Sequence, residues 1–373
     1  MWRGRLGRGR AKRDMISLPI AHPGHKLTCV PPTLVGGARR DKMRIFQNPM
    51  RSSGPVTVHG RHTILDYIFF TRPVLMPPVW TIALLGAHGV ASPSPIPIWK
   101  WIVMFVQLWC LFGAVYTLNQ IFDVESDRAN NKLFFLPESL IRTRAAWLFT
   151  IALNLASLGL ALLFGIAYLS LSAAIVLLGV LYSAGPRAWK NHHLLGLLAN
   201  VVAHGLIVYS MGAVFAGGQL SITWGFALPY VFAVGGVYLA TAAADTTGDS
   251  ATGKRTVAVA WGTVRTMIAA FTFIVFALIL SVVRFDWHLA AAAVACLPFF
   301  AISVSVGLLS GSPAFQALGA PQTSAKAAVA ALTLAAVVAY PFYLACLVPG
   351  FLLTRAFFHW RFRMTYPSLT PGR

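Results

Sequence analysis

Beyond residue 63 the chain is built of long apolar runs separated by short polar stretches. The runs lie at 73–90, 100–120, 145–167, 170–184, 195–216, 222–243, 264–282, 286–307 and 327–353. Most come close to the roughly 20 residues at which an α-helix spans the hydrocarbon core of a bilayer, so nine membrane-crossing helices are predicted. Ahead of the first, ILDYIFFTRP predicts a short helix at the interface, with Asp66 and Arg72 on its water side. The connections alternate in character. Those at 121–144, 185–194 and 244–263 hold Arg128, Lys132, Arg142, Arg144, Arg187, Lys190, Lys254 and Arg255, whereas 91–99, 168–169 and 217–221 hold no Lys or Arg. Basic loops stay on the cytoplasmic side, so this set is expected to face the cytoplasm or its organellar equivalent. An odd number of spans puts Arg355, Arg361 and Arg363 on the other face, which leaves the topology of the last spans open.

The second run passes directly into NQIFDVESDRANNK, residues 119–132. Asn119, Asp123 and Asp127 recur at every fourth position, so on a helix they share one face, with neighbouring Cβ atoms about 5–6 Å apart. Glu125 flanks them. A second pair, Asp245 and Asp249, repeats the spacing where the run at 222–243 ends, in DTTGDSATGKRT. The two clusters hold five of the chain's ten acidic residues, a concentration beyond surface decoration. Their placement after the second and sixth spans also hints at an internal repeat of about four helices.

Composition narrows the class. A chain of 373 residues that is 57% hydrophobic and 11% charged is not a soluble globular domain; an all-α, polytopic transmembrane bundle is predicted. The formal net charge of +20 is uneven, since 13 of the 30 Lys and Arg fall in residues 1–62, beside only Asp14 and Asp41. Residues 1–60 are rich in Arg, Gly and Pro without periodicity, which predicts a disordered basic extension, and they lack the apolar core of a secretory signal. An organellar transit segment, a tether to anionic lipid and a true start at Met43 or Met50 all fit them. The transmembrane domain is expected over 61–354 and a basic tail over 355–373. Cys29, Cys110, Cys296 and Cys346 show no metal-type spacing, so neither a disulfide framework nor a zinc site is expected.

Carboxylates at a membrane-helix end are costly to desolvate and persist when paired, hydrated or bound to a cation. Two clusters on one side suit one or two hard divalent ions, and Mg²⁺ takes carboxylate oxygens together with waters and substrate phosphates. Nearby Lys and Arg would hold the remaining phosphate oxygens. A diphosphate held in this way is a good leaving group. The implied substrate has a diphosphate head at the membrane surface and an apolar tail among the helices.

NQIFDVESD resembles the first Asp-rich motif of the UbiA superfamily of intramembrane prenyltransferases, commonly NDxxDxxxD. DTTGDSATGKRTVAVAWG resembles its second, and YSAGPRAWKNHHLLGLLAN the segment joining its fourth and fifth helices, so the resemblance covers about residues 64–350. It implies a helical fold around a central cavity, open laterally to lipid, in which Mg²⁺ bridges a polyprenyl diphosphate to both motifs. Asn119, Asp123 and Asp127 then match the first metal-binding motif and Asp245 and Asp249 the second, with the four aspartates catalytic. Asn119, Arg128, Lys132, Lys190 and Lys254 are the implied diphosphate contacts, and Arg72 would meet the diphosphate or an acceptor carboxylate. Tyr116, Tyr182 and Tyr238 are placed to steady an allylic cation with their ring faces. Gln120 departs from the family's frequent Asp, Ala242, Ala243 and Ala244 replace polar residues common before the second pair, and KLFFLPES lacks the usual Arg-Pro. These departures leave the metal and diphosphate half intact and bear on the acceptor.

Each residue also has an ordinary reading. The aspartates can solvate helix ends, pair with Arg128 or Lys132, or cap the segment after Gly253. The basic residues can be topology markers and the tyrosines an aromatic belt. His192 and His193, which would diverge by about 100° on a helix, read as an interfacial loop pair. A transporter or ion-coupled carrier is the rival function, and it predicts acids near mid-span and broken helices. The expected function is a Mg²⁺-dependent prenyltransferase of a bacterial inner or organellar membrane, moving a polyprenyl group from its diphosphate to an aromatic or lipid-like acceptor. Its expected partners are those substrates and membrane lipid, with no nucleic acid and no obligate protein partner.

Overall fold

The computed structural model describes residues 63–90, 95–129, 135–185 and 187–367. The expected extension at 1–60 and the candidate Lys132 lie outside the described residues. Helix α1 (Ile64–Phe70) and α2 (Met76–His88) are joined by a 3₁₀ turn at Pro73–Leu75, and α3 (Ile98–Phe122) leads into the short α4 (Val124–Ala129). Then follow α5 (Thr143–Ala161), α6 (Ile166–Ser183), and α7 (His193–Asn200), which runs through a π-helical stretch at Val201–Ile207 into α8 (Val208–Phe215). The chain continues as α9 (Leu220–Ala251), α10 (Val257–Trp261), α11 (Thr263–Val283), α12 (Trp287–Ala317), α13 (Ala320–Ala339) and α14 (Leu344–Phe362). Ten segments among the described residues are long and apolar enough to cross a membrane. The protein is an integral, multi-pass membrane protein.

Ten candidate segments stand where hydropathy suggested about nine. The run at 327–353 divides at Tyr340, where Pro341 denies the helix an amide donor and opens a 3₁₀ turn. If the last candidate segment, Pro341–Phe362, crosses the membrane, its C-terminal end lies on the side of the basic loops, and the contacts of that end are with one of them. Phe357 and Phe362 of α14 pack against Phe135 of the loop after α4. Helix α14 runs to Phe362, beyond the boundary expected at 354.

Asp66 is likewise corrected. It does not face water: it is fully buried, and its carboxylate accepts from Arg361 Nε at 3.0 Å and Nη2 at 2.9 Å. The Thr63 backbone N–H donates to the same carboxylate at 2.9 Å, capping α1. Phe69 stacks on Phe357 with ring centroids 3.8 Å apart beside this pair, so α14 clamps α1 through both charge and aromatic contact.

In lipid, helices gain little from hydrophobic attraction to one another, so small residues and polar pairs hold them together. A Cβ at Gly86 of α2 would collide with the Tyr209 carbonyl, and one at Gly212 of α8 with the Ala83 carbonyl. The two glycines therefore let the α2 and α8 backbones touch. Gln107 of α3 donates to Ser172 Oγ of α6 at 3.2 Å and accepts from Tyr168 Oη at 2.9 Å, and Thr117 meets Thr150 of α5 at 2.8 Å. These contacts fix α3, which delivers the first acidic cluster.

Candidate active site

The first cluster keeps its common face through a break in the helix. Asp123 ends α3 with φ −103° and ψ 8°, yet its N–H still donates to the Asn119 carbonyl at 3.0 Å, and the Asp127 N–H to the Asp123 carbonyl at 2.7 Å. Asn119, Asp123 and Asp127 thus remain in i, i+4 register. Asp127 is buried and Asp123 half-buried. Asn119 Nδ2 donates to Ser183 Oγ at 3.4 Å, tying the cluster to the end of α6.

The second pair lies on helix rather than loop, because α9 runs on through Asp245 and Asp249 to Ala251. Gly253 then turns the chain at φ 72°, a conformation that favours glycine, and the Lys254 N–H donates back to the Asp249 carbonyl at 3.0 Å. Asp249 is partly buried, while Asp245, one turn earlier, is exposed.

The loops draw the clusters together. Lys190, on a 3₁₀ turn at Trp189–Asn191, places Nζ 2.8 Å from Asp123 Oδ1, and Lys254 places its Nζ 3.9 Å from Asp123 Oδ2. Asp123 is therefore held between lysines of two distant loops, which are themselves joined by a parallel backbone bridge between His192 and Arg255. Tyr182 lies within electrostatic reach of Asp123, Asp249 and Arg72 and close to the Asn200 side chain, whose amide donates to the Gly196 carbonyl at 2.9 Å. Tyr238 is within reach of Asp249 and Tyr182, and Tyr116 of Arg72 and Tyr182. Tyr238 Oη packs over Gly196, where an added Cβ would come within 2.9 Å of it.

Arg72 occupies the break between α1 and α2 in a left-handed conformation, φ 57° and ψ 61°. For a residue with a side chain this costs roughly 1–3 kcal/mol, a strain characteristic of functional sites. Its Nε is buried with no hydrogen-bond partner. Arg72 is thus partly withdrawn from water, within electrostatic reach of Tyr116 and Tyr182.

Other candidates stand apart. Arg128 is exposed and donates to the Pro137 carbonyl at 2.9 Å, bracing the loop that follows α4. His192 has extended backbone and caps α7 by accepting from the Leu195 N–H at 3.4 Å. Its ring therefore stacks on His193, with centroids 4.6 Å apart, instead of diverging. Gln120 is buried and donates to the Phe70 carbonyl at 2.8 Å, joining α3 to α1.

Two residues escaped the sequence reading. Asn200 and His204 line a cavity of about 220 Å³ between α2, α7 with its π-helical continuation, α9 and α13, which Tyr238 and Thr241 also border. Polar residues at i and i+4 inside the apolar run LLGLLANVVAHGLIV were the available signal, since intramembrane polar groups are expensive.

Among the described residues no three His, Cys, Asp or Glu side chains gather closely enough for a cage made by protein alone. The donor set nevertheless suits Mg²⁺, which retains waters and phosphate oxygens and seldom takes a full protein cage. It consists of hard oxygens, the carboxylates of Asp123, Asp127 and Asp249 with the more exposed Asp245, and the Asn119 amide; Lys190 and Lys254 lie beside Asp123.

Residues 75–314 match the model of the UbiA prenyltransferase family. A chloroplastic 2-acyl-4-prenylphloroglucinol 6-prenyltransferase of Humulus lupulus is 26% identical over 178 residues, which cover 44% of this chain and 42% of that protein. The chain thus spans about two fifths of the length of that curated relative. A UbiA homologue from Archaeoglobus fulgidus bound to DMAPP and Mg²⁺ has the same fold, with a TM-score of 0.56 and 19% identity over 72% of this chain and 99% of the other. The apo UbiA homologue of Aeropyrum pernix K1 aligns with a TM-score of 0.56 and 17% identity over 70% of this chain and 96% of its own.

Proposed function

The chain belongs to the UbiA prenyltransferase family, and from that premise we propose that it transfers a polyprenyl group from its diphosphate to an aromatic or lipid-like acceptor within the membrane. The observation that carries this reading is the convergence on Asp123. Lysines from two loops meet its carboxylate at 2.8 and 3.9 Å, and Tyr182 lies within reach of both Asp123 and Asp249. The carrier alternative expects acids near mid-span, whereas these aspartates occupy helix ends.

In this mechanism Asp123, Asp127, Asp245 and Asp249, with the Asn119 amide, would hold Mg²⁺. Bound Mg²⁺ supplies positive charge to the leaving diphosphate. Lys190, Lys254 and Arg72 take the other phosphate oxygens, Arg72 as a fork and the lysines as point charges. Lys190 is nearly dry, with 9% side-chain exposure, so its charge acts with little screening. As the allylic C–O bond breaks, the aromatic faces of Tyr116, Tyr182 and Tyr238 oppose the cation that forms. The surrounding helices keep bulk water from capturing it. The positive-inside rule applied to the basic loops supports the cytoplasmic face, or its equivalent, as the side of this chemistry.

The DMAPP and Mg²⁺ bound to the Archaeoglobus homologue support the donor half of the reading. The test is Mg²⁺-dependent transfer from farnesyl or geranylgeranyl diphosphate by the purified protein over a panel of acceptors. Acceptor-dependent diphosphate release abolished by EDTA is the expected result. Absence of release with either donor and with longer ones would overturn the proposal.

A further inference from the structure

The cavity beneath the charged assembly carries a signature of its acceptor. It has a volume of about 220 Å³, and a cavity of about 150 Å³ already admits a benzene ring. No Lys, Arg, Asp or Glu lines it, yet Thr81, Asn200, His204, Tyr238, Thr241 and Thr333 do. The threonines are satisfied internally: Thr81 Oγ1 lies 3.4 Å from Thr333 Oγ1 and 3.2 Å from Tyr343 Oη, and Thr241 Oγ1 donates to the Val237 carbonyl at 2.9 Å.

Two groups are different. His204 Nδ1 lies 3.3 Å from the Asn200 carbonyl, and a carbonyl can only accept, so Nδ1 carries the proton. Nε2 is left as an acceptor on a ring that borders the cavity. Tyr238 Oη likewise has no hydrogen-bond partner among the described residues. An acceptor nitrogen and a donor hydroxyl without partners are costly among helices in lipid, and a purely hydrocarbon prenyl tail would satisfy neither.

We infer that this cavity is the acceptor chamber and that it takes a neutral, hydroxylated aromatic ring, whose hydroxyl donates to His204 Nε2 while a ring oxygen accepts from Tyr238 Oη. A carboxylate or phosphate in the chamber would meet no cation, and an uncompensated buried anion is strongly disfavoured. Arg72, Lys190 and Lys254 belong to the charged assembly and do not line the chamber. Tyr238 and Asn200 are shared by the two compartments: Tyr238 lies within reach of Asp249, and the Asn200 side chain lies close to Tyr182. The ring is thereby set next to the carbon that the donor would release. His204 acts here as a specificity-determining residue, and the inference rests on the prenyltransferase reading.

The full chain in lipid nanodiscs, with Mg²⁺ and geranylgeranyl diphosphate, is offered an alkylated dihydroxybenzene and the same ring bearing a carboxylate. A kcat/KM at least tenfold higher for the neutral ring is expected. His204→Ala should raise the acceptor KM at least tenfold while the donor KM stays within twofold, and His204→Gln, whose amide oxygen reaches toward the place of Nε2, should recover most of the loss. Preference for the carboxylated ring, or donor and acceptor KM rising together, would overturn the inference. Equilibrium dialysis of the radiolabelled neutral phenol against wild type and Tyr238→Phe, without donor, gives an answer independent of turnover and of the folding of His204 variants. Binding weakened several-fold in Tyr238→Phe supports the chamber, and equal binding overturns it. Mg²⁺-dependent release of diphosphate to water with no transfer to either ring would refute this inference and leave the prenyltransferase donor site standing. No release under any condition would overturn both.

Discussion

Breaking the Asp66–Arg361 pair should destabilise the protein far more than removing both partners. Both side chains are fully buried, and two hydrogen bonds of 3.0 and 2.9 Å join them across 295 residues of sequence. In Arg361→Leu the carboxylate keeps only the Thr63 N–H at 2.9 Å, so a charge is stranded among Phe69, Phe357 and Phe362. Removing one partner of a buried ion pair costs about 3–5 kcal/mol, whereas replacing both by apolar residues is often neutral. At roughly 2–4 °C per kcal/mol for a domain of a few hundred residues, Asp66→Leu and Arg361→Leu should each lower the melting temperature by roughly 6–20 °C. The Asp66→Leu/Arg361→Leu double variant should regain most of that loss. Thermal unfolding in one detergent, followed by tryptophan fluorescence, measures all four proteins. Single variants melting within about a degree of wild type, or a double variant no better than the singles, would refute the clamp between α14 and α1.

Lys190→Met should lower kcat/KM for the prenyl diphosphate roughly 100-fold, the scale of losing one preorganised charge-stabilising contact, and should also lower the melting temperature, because the mostly buried Asp123 carboxylate is left with Lys254 at 3.9 Å as its paired lysine; steady-state kinetics and thermal unfolding check the two effects separately. Arg72→Gly keeps the left-handed backbone and removes the guanidinium, so stability should hold or rise by up to about 1 kcal/mol while donor KM rises; a loss of stability with unchanged donor KM would contradict the placement of Arg72. Gly86→Leu or Gly212→Leu should prevent folding outright, because the new side chain meets carbonyl backbone of the opposing helix; size-exclusion profiles in detergent would show it. Gly196→Val pushes on Tyr238 Oη and should impair acceptor use before stability, measured as acceptor KM.

What the sequence disclosed divides by distance along the chain. The register of Asn119, Asp123 and Asp127 is local, and even the break at Asp123 preserves it because the i, i+4 backbone bonds continue. Apolar runs located most spans for the same reason. The last run was misjudged because Pro341 is embedded among apolar residues, so hydropathy passes over the break that geometry makes. Asp66 read as a surface charge since its partner lies at the far end of the chain. The meeting of Lys190 and Lys254 on Asp123 needs the pairing of two loops, which no local pattern announces. His204 was legible in principle, as a polar residue one turn from Asn200 inside an apolar run, but only the fold turns those two residues toward a common cavity.

The central claim is that two acidic clusters grip one diphosphate. Its most direct test is the affinity of an unreactive prenyl thiolodiphosphate for wild type, Asp123→Ala and Asp249→Ala, each measured with Mg²⁺ and with EDTA. The account predicts Mg²⁺-dependent binding in wild type and its loss in either variant, although the two residues lie on different helices. Binding that survives the loss of one cluster unchanged would show that the clusters do not share a ligand and would contradict the account.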